Sequence, residues 1–152
     1  MIALVFAAFV VLSAFNAGTM TTLQIQHYGI YTHVGAGHFA AYIRANNRAA
    51  LVPAVLPALA LLLISLLLVL NRPPFMSQST ARIVLGLNLI ALASTFLWQR
   101  RLQAEMAESG YDAAKVRLLI STNWIRTFAY VLQALLAMAV VVHALPGQRA
   151  AP

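Results

Sequence analysis

The chain has 152 residues, of which 62% are hydrophobic and only 9% charged, against about 25% charged in an ordinary soluble domain. That composition cannot cover a water-exposed surface. The formal charge of +7 comes without a basic run or a stacking platform, which argues against nucleic acid as a partner, and the absence of Cys excludes disulfides, thiolate metal sites and thiol redox chemistry.

The first apolar run starts at the N-terminus without a positive n-region and lacks a clear small-residue cleavage site. It therefore reads as a membrane span over about residues 2–23, and not as a removed signal peptide. A connection from Gln24 to Gly37 follows. It carries Gly29, Gly35 and Gly37, and those glycines argue against one continuous helix. Helix resumes near His38, with the second span over about 50–70. Pro53 and Pro57 sit in its first half, where they free backbone groups that neighbours must satisfy. Asn71-Arg72-Pro73-Pro74 ends it.

The third span covers about 81–98 and continues as a polar helix from Gln99 to Glu108, until Ser109-Gly110 stops it. Asp112 is placed to cap the next helix by accepting from its first amides. That helix becomes the fourth span, about 118–143, before a short polar tail from Pro146 to Pro152. The fold class is all-α, an integral membrane four-helix bundle forming a single domain. Six Lys and Arg flank the spans on the side of the 1–2 and 3–4 connections (Arg44, Arg48, Arg100, Arg101, Lys115, Arg117). Three lie on the other side (Arg72, Arg82, Arg149). The bias puts the connections in the cytoplasm of an inner or plasma membrane and both termini outside.

At 100° per residue each span shows one polar or small-residue face. Span one aligns Asn16, Thr19, Leu23 and Gln26, with His27 joining if the helix persists. Span two aligns Asn47, Ala50, Ala54, Ala58 and Ser65. Span three aligns Asn88, Thr95 and Gln99. Span four aligns Asn123, Arg126, Thr127 and Tyr130. Turning these faces inward is the simplest packing, since polar groups are costly against acyl chains. Interhelical hydrogen bonding accounts for a lone Asn. It accounts less well for Arg126, because no acid lies inside any span to pair with it. Arg126 then needs carbonyls, amide oxygens, water, a lipid phosphate or an anionic ligand.

A second constellation, Gln24, Gln26, His27, Tyr28, Tyr31, His33 and His38, lies near one membrane face. Imidazole titrates near neutrality and can act as a base or bind metal, but no standard metal-ligand spacing occurs and no carboxylate is near in sequence. Tyr at this level also serves as an interfacial anchor. No phosphate loop or nucleophile elbow is present.

The Asn123-Trp124-Ile125-Arg126-Thr127 cluster resembles the opening of the fourth span in the small four-helix membrane proteins grouped as anthrone-oxygenase-like. The likeness covers nearly the whole length. It includes Asn16-Ala17-Gly18-Thr19 in the first span, the His/Tyr-bearing connection, and Phe39 with Asn46-Asn47 leading into span two. Most of that family has no assigned activity. Fungal relatives are associated with oxidation of an anthrone to an anthraquinone without metal or flavin. The resemblance implies a cofactor-independent membrane oxygenase acting on a lipophilic aromatic or polyketide-type substrate. His27 or His33 would be the base, and Arg126 with Asn123 would hold an oxyanion. Trp124 and Tyr130 would lie against the substrate ring, and Asn16, Asn47, Asn88 and Thr127 would complete the binding site. The expected partners are membrane lipid, a lipophilic small molecule, and a homo-oligomer or larger membrane complex. Competing readings are a non-catalytic accessory subunit of a larger membrane complex and a carrier of lipid, quinone or pigment.

Overall fold

The computed structural model describes residues 2–147, with side chains up to 144; the remainder of the expected polar tail, and Arg149 within it, lie outside the described residues. The described residues contain helices and no strand. Four helical stretches are long and apolar enough to cross a membrane: Ile2–His33, Leu51–Leu70, Gln78–Ser109 and Ala113–Ala144. The four spans and the all-α bundle expected from hydropathy are therefore present.

Helix α1 (Ile2–Thr22) passes without a break into a π turn, Leu23–His27, and a 3-10 segment, Tyr28–His33. The expected loop from Gln24 is thus helical for its first ten residues, and the chain breaks only at Val34, which is extended (ψ 120) before Gly35. Helix α2 (Ala36–Ala49) leads through a second π turn, Leu51–Val55, into α3 (Leu56–Leu70). In this turn both Ala54 and Val55 donate to the Ala50 carbonyl, at 3.0 and 3.2 Å. Pro53 has no N–H to offer, and Pro57 would crowd the carbonyl four residues before it, so widening the turn relieves both conflicts.

Helix α4 (Gln78–Ser94) is capped by Ser77, whose Oγ accepts from Thr80 N at 3.0 Å. It continues through a third π turn, Thr95–Gln99, into α5 (Arg100–Ser109). Gly110 stops α5 with φ 85, a left-handed geometry that suits glycine. Asp112 then caps α6 (Ala113–Gly147), its Oδ1 accepting from Ala114 N and Lys115 N at 2.8 and 3.2 Å. Both the stop and the cap fall where the sequence places them.

The membrane helices pack as a ring in the order α1, α3, α4, α6, and α2 packs on α5 at one end. The α2–α5 contact puts the 1–2 and 3–4 connections on the same side of the bundle. Helix α6 has 35 residues, about 50 Å at 1.5 Å per residue, against a hydrocarbon core of about 30 Å. Its first turns therefore project beyond the apolar slab, together with the ends of the first and third helical stretches.

Two cores result. One is aliphatic and runs along the spans through Phe9, Leu61, Leu68, Ala81 and Val84. The other lies at the connection end and gathers Tyr28, Tyr31, Phe39, Leu102 and Met106.

Candidate functional site

The site lies where the two cores meet. Arg126 is 13 residues past the start of α6 and half-buried. Its Nε donates to Asn123 Oδ1 at 2.8 Å. Its Nη2 donates to the same oxygen and to the Tyr28 hydroxyl at 3.2 Å. Its Nη1 reaches Thr95 Oγ1 at 3.5 Å. Three helical stretches thus converge on one guanidinium. Nη1 carries two N–H groups, and among the described residues that single long contact is all that engages them.

Asn123 stands behind the guanidinium and holds it. It is fully buried, and its Nδ2 donates to Gln24 Oε1 at 2.6 Å and to Thr127 Oγ1 at 3.5 Å. Gln24 Nε2 donates to the Ile120 carbonyl at 3.2 Å, and the Thr127 hydroxyl donates to the Asn123 carbonyl at 3.2 Å. Asn123 and Thr127 are not among the residues that line the cavity described below; Asn123 accepts from Arg126 and Thr127 accepts from Asn123. Asn123, expected to hold an oxyanion, and Thr127, expected in the binding site, thus stand behind the cavity wall and not on it.

In front of Arg126 lies a cavity of about 530 Å³ among α3, α4, α6 and the end of the first helical stretch. That volume suits a drug-sized ligand. All three π turns contribute to its wall, with His27 from the first, Ala54 and Val55 from the second, and Thr95 and Gln99 from the third. An extra residue in a helical turn re-aims the side chains that follow, and such turns recur at functional sites.

The expected faces of spans two and three are here. Asn47, Ala50, Ala54 and Ala58 line the cavity, as do Asn88, Thr95 and Gln99. Asn88 is also tied to α3, donating to Ser65 Oγ at 2.8 Å and, within its own helix, to the Val84 carbonyl at 3.1 Å. Tyr130 lines the wall on α6.

His27 is half-buried on the wall, 3.5 Å from the Tyr31 hydroxyl, and that hydroxyl accepts from Asn46 Nδ2 at 3.3 Å. Its ring stacks on Tyr42 at 6.2 Å. His33 is not brought to the cavity. It is exposed and lies beside Thr32, with Nδ1 3.2 Å from Oγ1. The chain narrows to 3-10 helix after His27, which turns His33 away.

Asn16 is fully buried but also misses the cavity. Its Nδ2 donates to the Leu12 carbonyl of its own helix at 2.8 Å. Trp124 is 40% exposed and stacks on Phe128 on the outer face of α6. One residue beyond an inward Asn123 is about 100° away, so the ring points outward. Tyr28 and Tyr130 supply the aromatic wall in its place.

The face count places Thr95 inward but misses Tyr28, which meets Arg126, and Gln24, which meets Asn123. Each is visible as a polar residue near a span end. A face count at 100° per residue favours Gln26, which is exposed, over Gln24 and Tyr28, because the π turn advances the chain by less per residue. Among the described residues no three His, Asp or Glu side chains come together as a metal-ligand set, so the wall presents amides, hydroxyls, one imidazole and guanidinium groups. Comparison with known proteins finds no matching family model, no matching curated protein and no matching solved structure.

Proposed function

We propose that this chain is a membrane-embedded oxygenase that oxidises a lipophilic aromatic substrate in the cavity between its spans. One observation carries the reading. Arg126 faces a cavity of about 530 Å³ with a donor unengaged and, among the described residues, no carboxylate on the wall. A preorganised guanidinium in a water-poor site stabilises an oxygen that gains negative charge during reaction.

The chemistry starts with a carbon acid beside an aryl ketone, as in an anthrone. His27 removes the proton. Arg126 and the Tyr28 hydroxyl hold the resulting enolate oxygen. The enolate is electron-rich and passes its electrons to dioxygen. In the net change one ring methylene and one dioxygen become one ring carbonyl and one water. The electrons come from the substrate and the oxidant is dioxygen, so the step draws on neither flavin nor metal. The resemblance of the Asn-Trp-x-Arg-Thr cluster to anthrone-oxygenase-like proteins supports the same class. The six-to-three Lys and Arg asymmetry supports an inner or plasma membrane with the His27 end cytoplasmic and both termini outside.

The test is oxygen uptake and quinone absorbance with anthrone in lipid nanodiscs, after chelation and with metal content measured. Arg126→Lys keeps the charge but loses the planar fork, and turnover is expected to fall about 100-fold, as when one oxyanion donor is removed. His27→Ala is expected to cost about 100-fold or more and to change the pH profile. Turnover that survives both replacements sinks the reading. Activity that follows a stoichiometric metal replaces it with a metalloenzyme one. A non-catalytic carrier of the same ligand is the second reading, favoured by the fact that His27 is the only His on the wall among the described residues.

A further inference from the structure

Two features of the cavity bear on the charge of its ligand and on how the ligand arrives. The first is charge. Arg126 and Arg100 both line the wall, and none of the chain's three acids does. Glu105 is engaged by Arg101 and Lys115, each at 3.0 Å. Asp112 is engaged by the first amides of α6. A cation at membrane depth is costly unless something negative or strongly polar meets it.

The second feature is an opening. No Cα of Leu51–Val55 lies within 8 Å of any Cα of Thr95–Gln99, although α3 and α4 pack together further along. Both π turns line the cavity, and their backbones stand apart. Leu51, Val55 and Leu59 stand on one lip and Phe96 on the other, all of them on the cavity wall and all exposed. These lips belong to helical stretches apolar enough to cross a membrane. Apolar lips around a cationic interior are the reverse of a pocket that fills from water. They suit a molecule that arrives dissolved in lipid and carries its charge inward.

We infer that the cavity takes an anionic amphiphile, which enters sideways from one leaflet between the second and third π turns with its acidic head toward Arg126. The inference rests on reading the cavity as a ligand site, and it adds the ligand's charge and its route. The head is an ionised oxygen group, such as a phenolate, carboxylate or phosphate. The unengaged N–H of Nη1 donates to it in a charge-assisted hydrogen bond, and Arg100 adds a second positive charge beside Phe96, its guanidinium carbon 5.7 Å from the ring centroid. The apolar body lies against Ala54, Ala58, Leu62 and Leu92. A free acid and a membrane phospholipid both offer this chemistry.

The experiment uses the full chain in phosphatidylcholine nanodiscs and measures binding, not turnover. The probe is 1-hydroxy-2-naphthoate, a fluorescent anion at neutral pH, compared with its neutral methyl ester at equal membrane-bound concentration. The acid is expected to bind at least tenfold more tightly. Arg126→Gln should abolish that difference, and Arg126→Lys, which keeps the charge, should restore most of it. Adding phosphatidylglycerol to the discs separates the sources: displacement of the naphthoate assigns the head site to a lipid, and no displacement assigns it to a free acid.

The natural chain has no Cys, so Val55→Cys with Phe96→Cys can be bridged selectively by a bis-maleimide. The bridge should slow naphthoate association at least tenfold, while each singly labelled variant should not. Equal affinity for acid and ester overturns the charge assignment, and an association rate unchanged by the bridge overturns the route. Tight naphthoate binding with no oxygen uptake from anthrone sinks the oxygenase reading and leaves this inference standing. Oxygen uptake from anthrone, with the naphthoate and its neutral ester bound equally well, does the reverse.

Discussion

Two buried asparagines of this bundle are held in different ways. In the aliphatic half, Asn16 is fully buried but bonds only to the Leu12 carbonyl of its own helix, and its Oδ1 has no partner among the described residues. At the connection end, Asn123 is equally buried but links α6 to Gln24 on the first helical stretch and holds Arg126. Burial by itself therefore does not mark function. Asn123 differs in that its bonds run between helices and end on a charge facing a cavity.

The same contrast applies to the apolar groups. In lipid no hydrophobic force drives helix against helix, so the aliphatic half depends on close packing. The core at the connection end, where helices outrun the apolar slab, depends on aromatic burial, with Tyr31 in edge contact with Tyr28 at 5.2 Å and with Phe39 at 5.8 Å.

The largest expected effect separates the two cores. Tyr31→Ala removes a fully buried ring and is expected to cost about 3–5 kcal/mol, as for large aromatics in water-facing cores. Leu61→Ala, also fully buried, is expected to cost less than about 2 kcal/mol, because lipid is as apolar as the side chain and only packing is lost. Thermal unfolding in one detergent compares them, and equal losses would erase the distinction between the cores.

Next come the two asparagines. Asn123→Leu leaves Gln24 and the guanidinium without their partner, at about 1–3 kcal/mol, and should weaken naphthoate binding along with stability. Asn16→Leu removes no bond between helices and should change stability by less than about 0.5 kcal/mol, or raise it, since an apolar group of similar shape replaces an unsatisfied one. A loss at Asn16 as large as that at Asn123 would mean that burial, and not connectivity, sets the cost.

The smallest effect tests the solvent-facing start of α6. Backbone amides of Lys115 and Ala114 hold the Asp112 carboxyl below its ordinary value near 3.8. Its folded pKa is depressed, so its contribution is present above the unfolded value and is lost as pH falls through the folded one. Melting measured from about pH 5 down to about pH 2, the range in which a depressed Asp titrates, should show that loss in the natural chain. Asp112→Asn keeps a capping oxygen that does not titrate, so this component should vanish, and an unchanged acid profile would show that the cap carries none of it.

The apolar runs, the stop at Gly110 and the cap at Asp112 were legible because each depends on local chemistry: hydropathy over a span, a positive φ, a side-chain oxygen near free amides. The inward faces of spans two, three and four were legible for a related reason. The side chains of Ala50, Ala54 and Ala58, of Asn88, Thr95 and Gln99, and of Arg126 and Tyr130 recur close to helical spacing and share the cavity wall. What the sequence could not supply was the phase of the chain after Leu23. A π turn is a response to packing, proline and neighbouring side chains, and it leaves no fixed residue signature. Once it forms, counting at 100° per residue picks Gln26 where the tertiary structure uses Gln24 and Tyr28. Only the assembled bundle decided that Tyr28, Thr95 and Asn123 meet on one guanidinium, because those contacts join residues up to 98 positions apart. It decided the opening between the π turns for the same reason, since a gap between two helices is a property of neither sequence segment alone.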